Sequence, residues 1–206
     1  MTKDHSISAP PASENMLRLE RREGPLPALS LRLAHGEKLG LRGVNGSGKT
    51  TLLEHLAGLR ITPNIETHAT PGPRTAYLPQ HPPRPLGWPL SVRDYARLAG
   101  LPESALPARL RPLLNTRCDA LSGGQFQQLA LAAALSGMVQ GSAPDLILLD
   151  EPTHHLDRDG LDWLSEALRA VPAACLLVSH DRDWLETHAD RILELPAPGN
   201  EREALE

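Results

Sequence analysis

Gly43-Val44-Asn45-Gly46-Ser47-Gly48-Lys49-Thr50 is the stretch on which the reading of this 206-residue chain turns. It follows Lys38-Leu39-Gly40-Leu41-Arg42, which reads as a strand, and precedes Thr50–Leu59, which reads as a helix closed by Gly58 and Arg60. Glycines at this spacing let backbone N–H groups turn inward around phosphates, at a helix N-terminus whose dipole favours anions. Lys49 would reach the β and γ phosphates and the Thr50 hydroxyl would coordinate Mg²⁺. Lysine usage supports this. Basic positions are nearly all Arg; Lys occurs only at Lys3, Lys38 and Lys49, so from residue 39 onward the loop holds the sole ammonium. A compact ammonium fits between phosphate oxygens where a planar guanidinium does not.

Downstream, strand and helix alternate. Asp145–Leu149 is a continuous apolar run of the kind buried on both faces of a parallel sheet, followed by a helix over Asp159–Ala170, a strand over Ala174–Ser179, a helix over Arg182–His188 and a strand over Ile192–Leu195. The fold class is therefore α/β, with a mostly parallel sheet flanked by helices. Leu17–Glu20 and Leu29–Leu33 alternate weakly and predict edge strands. Eight prolines between Ile61 and Pro89 exclude long helices and favour short strands and turns. Ser91–Leu101 and Glu103–Leu114 predict short helices, the second interrupted by Pro107 and Pro112, and Ser122–Leu135 a longer Ala- and Leu-rich one. Residues 1–15 and 197–206 read as flexible tails around one domain over 16–196.

Composition narrows the function. No run approaches the ~20 apolar residues of a membrane span, and residues 1–15 do not read as a signal peptide. Fifteen acids against five arginines from Asp145 onward argue against a wholesale nucleic-acid binder, although Arg74–Arg117 is basic. Cys118 and Cys175 lack ligand-type spacing and read as reduced thiols of a cytoplasmic protein. His154-His155 reads as loop, since adjacent side chains diverge and no further ligand is near in sequence. Trp163, Trp184 and Phe126 read as packing residues.

Two further motifs carry chemistry. Leu146-Ile147-Leu148-Leu149-Asp150-Glu151 is an apolar strand ending in two carboxylates, where Asp150 would hold the Mg²⁺ shell and Glu151 would polarise the attacking water as general base. Leu121-Ser122-Gly123-Gly124-Gln125 precedes a helix and offers a second oriented N-terminus to a phosphate. With Tyr77-Leu78-Pro79-Gln80, Leu156-Asp157 and Ser179-His180-Asp181, these motifs make the chain resemble an ABC ATPase nucleotide-binding domain over about residues 16–195.

The resemblance implies a phosphate-loop NTPase sheet with a small antiparallel β subdomain and a short inserted helical subdomain at about 88–120. It implies ATP and Mg²⁺ as ligands, with Gly43, Asn45, Gly46, Ser47, Gly48, Lys49, Thr50 and Thr51 around the nucleotide and Thr50, Gln80 and Asp150 at the metal. Glu151, Gln80 and His180 would serve hydrolysis: Gln80 senses Mg²⁺ and the attacking water, and His180 hydrogen-bonds the γ-phosphate. Ser122, Gly123, Gly124 and Gln125 would act on the phosphate bound by a second protomer, and Asp157 would cross that dimer interface. The expected partners are an identical or related cassette and a separate transmembrane permease, which places the chain on the cytosolic face of the membrane. The alternative is a soluble regulatory ATPase on ribosomes or nucleic acid, because residues 151–157 and 178–182 resemble the ABC-F subfamily, although that subfamily joins two cassettes in one chain. A third reading, a non-hydrolysing ATP-gated module, is opposed by Glu151. One departure stands out: no Phe, Tyr or Trp occurs before Tyr77 to stack on adenine. Arg21 or Arg22 lies near that position and could stack by its guanidinium plane, with weak base discrimination as the consequence.

Overall fold

A computed structural model describes residues 15–22, 28–69, 72–85, 87, 89–138 and 141–197; apart from residues 15 and 197, the tails expected at 1–15 and 197–206 lie outside the described residues. The centre of the molecule is a five-stranded sheet in the order β5-β6-β7-β3-β8, all of its pairs parallel. Its strands are β3 (Lys38–Arg42), β5 (Thr75–Leu78), β6 (Leu146–Asp150), β7 (Ala174–Val178) and β8 (Arg191–Glu194). Every residue of β6 and β7 is buried, as the uninterrupted apolar sequence requires of strands covered on both faces.

Alternation divides these strands between two cores. Leu146, Leu148 and Leu176 face a cluster with Leu39, Leu41, Leu52 and Leu53, where α1 (Lys49–Leu56) and the small sheet cover the main sheet. Ile147, Leu149, Cys175 and Leu177 face the opposite cluster, closed by α3 (Gly123–Ser136), α4 (Arg158–Ala170) and α5 (Arg182–His188). Trp184 is buried there, and Cys118 and Cys175 are both free and buried.

Sequence and structure differ at two places. The small antiparallel sheet has the order β2-β1-β4, so β1 (Asn15–Arg21) is its central strand and not an edge. β2 (Leu29–Ala34) pairs on one side, while β4 (Ile65–Ala69), a short strand inside the proline-rich region, pairs on the other from Leu17↔Ala69 to Arg21↔Ile65. Among the described residues of the insert only α2 (Val92–Leu98) is α-helical, with Ser91 and Asp94 forming a reciprocal cap. The segment expected as a helix over Glu103–Leu114 is instead two 3₁₀ turns, Glu103–Ala105 and Ala108–Leu113, with a third at Cys118–Ala120. Pro107 separates the first two, and Pro112 has no N–H to give an α-helical ladder.

The insert has a core of its own. Val92, Leu106, Leu110 and Cys118 pack on Phe126, Leu129 and Ala132 of α3, while Ala130, Leu131 and Ala134 of the same helix pack on the main sheet. Helix α3 is therefore a wedge between insert and sheet, and the position of its first turn is fixed by both. Replacing Leu176, fully buried at the junction of β3, β6 and β7, by Ala is expected to cost about 2–5 kcal/mol in denaturant unfolding; a loss under about 1 kcal/mol, the range of a well-accommodated core change, would contradict this placement of the core.

Candidate nucleotide-binding site

Parallel pairing brings the carboxyl ends of the central strands to one level: Val178 of β7 is in register with Asp150 of β6 and with Leu41 of β3. The loop over residues 43–48, Glu151 and the Ser179-His180 segment emerge together there, the edge where open α/β sheets place their ligands. They surround a cavity of about 270 Å³ lined by Asn45, Gly46, Gly48, Lys49, Thr50, Thr51, Gln80, Asp150, Glu151 and His180.

The loop reaches α1 through Gly48, which holds the helix N-cap at φ 90°, a left-handed conformation that glycine adopts without strain. Lys49 is buried, and its Nζ donates to the carbonyls of Gly43 at 2.8 Å and Val44 at 3.1 Å, which fixes the ammonium along the loop. Thr50 Oγ1 donates to Asp150 Oδ2 at 2.8 Å, joining the start of α1 to the end of β6. Ser47 is buried and does not line the cavity.

Glu151 is held unusually. Its φ is +48°, rare for a side-chain-bearing residue and of the kind that collects at functional sites. Its N–H donates to the Val178 carbonyl at 2.9 Å, which prolongs the β6–β7 ladder by one step and aims the carboxylate at the cavity. Oε2 accepts from Ser179 Oγ at 3.4 Å; Oε1 lies 3.5 Å from His180 Nε2 and, though buried, has no hydrogen-bond partner among the described residues. His180 itself is exposed. Burial raises the Asp150 carboxyl above the ordinary carboxylate value, against the Thr50 hydrogen bond and the Lys49 charge, which lower it. A carboxylate, a hydroxyl and the Gln80 amide oxygen on one cavity form the hard oxygen donor set that suits Mg²⁺.

Leu121–Gln125 lies elsewhere. Ser122 caps α3 by accepting from Gln125 N–H at 3.2 Å, and its own N–H donates to Gln125 Oε1 at 2.9 Å. Serine and glutamine three residues apart are the spacing of a capping box, a signal present in the sequence that the phosphate reading passed over. Ser122 and Gly123 are exposed. Gly124 has an internal reason to be glycine: a Cβ there would fall 2.4 Å from the His155 carbonyl oxygen. Arg84, unnoticed in the sequence, donates to the Leu121 carbonyl at 3.0 Å and lies over the Phe126 ring. Neither Ser122, Gly123, Gly124, Gln125 nor Asp157 lines the phosphate-loop cavity. Asp157 caps α4 through Gly160 N–H and pairs with Arg109.

The stacking role suggested for Arg21 does not fit. Its guanidinium is buried, 3% exposed, and donates to the Ser47 carbonyl at 3.4 Å, so it packs beneath the loop and presents no face to a base. Arg22 is exposed and pairs with Glu66 at 2.5 Å.

The sheet, its glycine-rich loop and the cluster of Lys49, Thr50, Asp150 and Glu151 define an ATPase domain of the phosphate-loop class. The particular family follows from comparison with known proteins: the model for the ABC transporter family matches residues 26–154, and the chain belongs to that family. It is 34% identical to the zinc import ATP-binding protein ZnuC of Paracoccus denitrificans (strain Pd 1222), over 82% of this chain and 70% of that one. It is 30% identical to the energy-dependent translational throttle protein EttA of Mycobacterium tuberculosis (strain CDC 1551 / Oshkosh), over 82% of this chain, and spans 38% of EttA's length. Among solved structures, an ATP-binding subunit of an ABC transporter superposes with a TM-score of 0.69 at 25% identity, over 89% of each chain.

The raised Asp150 carboxyl makes a stability prediction. The unfolded chain keeps the ordinary value, so the fold favours the protonated form, and stability is lost as pH rises from the ordinary carboxylate range through the raised value. Asp150→Asn should therefore raise Tm at pH 7, with the gain shrinking toward pH 3. A lower Tm at pH 7 would contradict the dominance of burial.

Proposed function

We propose that the chain binds ATP with Mg²⁺ and hydrolyses it as a dimer, each nucleotide lying between the phosphate loop of one protomer and the Leu121–Gln125 segment of the other. The observation that carries this reading is the split within one chain. The loop, Gln80, both acidic residues and His180 gather on one cavity, whereas the exposed start of α3 belongs to no part of it. A second copy can supply that helix end to the phosphates, with its N-terminal amides and dipole favouring the anion.

The roles follow from the chemistry of each group. Backbone amides of residues 43–50 and the Lys49 ammonium hold the phosphates, and Thr51 borders them. Thr50, Gln80 and Asp150 would hold Mg²⁺, which when bound offsets phosphate charge. Glu151 accepts a proton from the attacking water through a carboxylate whose position is set by Ser179 and by the backbone bond to Val178. His180, beside Glu151, donates to the γ-phosphate. Loss of that phosphate removes the bridge between protomers, so hydrolysis opens the dimer.

The work this performs, in our reading, is transport. Similarity to ZnuC over 70% of that protein's length supports a chain that powers a separate membrane permease from the cytosolic face. Among the described residues no helix is long and apolar enough to cross a membrane. The similarity to EttA supports the second reading, a regulatory ATPase on the ribosome. The absence of Phe, Tyr and Trp before Tyr77, with Arg21 buried under the loop, supports weak selection of the base.

Four measurements test these readings. Lys49→Ala should lose ATP binding or turnover, and Glu151→Gln should accumulate as an ATP-bound dimer on size exclusion; wild-type turnover by Glu151→Gln would remove the base assignment. Glu151→Gln with ATP should co-purify with a membrane protein, whereas sedimentation with ribosomes would select the second reading. GTP and ATP should titrate with comparable affinity, and far tighter ATP binding would contradict weak base selection.

A further inference from the structure

Arg109 lies on the 3₁₀ turn Ala108–Leu113 of the insert and does not line the phosphate-loop cavity. Its side chain nonetheless spans three elements. Nη1 donates to both carboxylate oxygens of Asp157, at 2.6 and 2.7 Å, and Nε donates to the amide oxygen of Gln128 on α3. Nη2 occupies the space over Gly160, where a Cβ would approach it to 3.2 Å. Gln128 is 1% exposed and so cannot follow Arg109 outward. Asp157 also accepts from Gly160 N–H at 2.9 Å, so both of its oxygens are committed within its own chain.

We infer that Arg109 is a positioning residue: it fixes the Asp157 segment to the insert and to α3, so that the two surfaces offered to a second protomer, Ser122–Gly124 and Asp157, move as one unit. The inference rests on the proposed dimeric reading for its functional consequence. Geometry sets the role apart from a mere stabilising contact. The Asp157 side chain is 66% exposed and that of Arg109 29%, and exposed ion pairs add little to stability. What the guanidinium adds is orientation, since one rigid plane bonds Asp157 through Nη1 and Gln128 of α3 through Nε. A lysine ammonium carries its donors on a single nitrogen, whereas Arg109 reaches its two partners through separate nitrogens of that plane. The Asp157 carboxyl is lowered from its ordinary value first by the Arg109 hydrogen bond, then by Gly160 N–H, consistent with a carboxylate held ionised.

The test compares Arg109→Ala, Arg109→Lys, Asp157→Ala and the Arg109→Ala/Asp157→Ala pair in ATP turnover, thermal melting and hydrogen–deuterium exchange. Arg109→Ala is expected to lower kcat per folded molecule about tenfold, within the range of coupled neighbours, with KM for ATP unchanged and only the small fall in Tm that the unpaired, buried Gln128 oxygen brings. Arg109→Lys should recover part of the loss, and the double variant should be no slower than Asp157→Ala alone. Exchange should rise in Arg109→Ala at residues 156–161. Wild-type kcat in Arg109→Ala, or additive losses in the pair, would overturn the inference. So would a loss of turnover no greater than the loss of folded protein, the mark of a structural tether. The exchange result stands apart from catalysis. If wild type shows neither turnover nor an ATP-driven dimer, the proposed function fails, and unchanged exchange at 156–161 then overturns the positioning role by itself.

Discussion

Parallel pairing of β6 with β7 sets Asp150 opposite Val178, and pairing of β7 with β3 sets the same Val178 opposite Leu41, one residue short of the end of β3. On that common level the rest of the site depends. It brings Thr50 within 2.8 Å of Asp150 across a hundred residues of chain, and lets Glu151 N–H reach the Val178 carbonyl so that a left-handed residue is held in place. The register is enforced by burial, because both faces of β6 and β7 are covered and a one-residue slip would exchange the two cores. Site geometry here is a consequence of core packing. The raised Asp150 carboxyl, and a buried Glu151 Oε1 that makes no hydrogen bond among the described residues, are the stability cost of gathering acidic groups at a buried edge.

Helix α3 connects this edge to the surface. One face packs on the sheet and the other on the insert, and its first turn carries Ser122–Gln125. The same residues answer two demands. Ser122 and Gln125 close a capping box, and Gly124 makes room for the His155 carbonyl, before any nucleotide is considered. A helix start so firmly built within its own chain is a rigid donor surface, which suits an anion held by another molecule. Arg109 extends that rigidity to Asp157.

Much of this was legible in the sequence where the signal is local. The glycine-rich loop, the apolar run into Asp150-Glu151 and the strand–helix alternation carry their physics in neighbouring residues, and the α/β sheet follows, while its small antiparallel companion was implied by the family resemblance. What escaped depends on partners far away in the chain. β1 reads as an edge because β4, its second partner, lies hidden among prolines. Glu103–Leu114 reads as a helix interrupted by Pro107 and Pro112, but how far those prolines shorten it, to 3₁₀ turns, shows only in the fold. Arg21 reads as a stacking group because burial beneath Ser47 is invisible until the loop is folded over it. Arg109 gave no signal at all, since its acceptors lie on α3 and at the start of α4, both distant from it in the chain. The Ser122–Gln125 cap was readable from spacing alone.

The central claim is that Leu121–Gln125 acts on a phosphate bound by another copy of the chain. Cysteines placed at Asn45, on the phosphate loop, and at Ser122, at the exposed start of α3, test it without relying on catalysis. The two native cysteines are buried and should contribute little background. With ATP and the Glu151→Gln change to hold the closed state, oxidation of the Asn45→Cys/Ser122→Cys protein should yield a covalent dimer that is absent without nucleotide. A chain that stays monomeric under oxidation with ATP, or that crosslinks equally without it, would contradict the account.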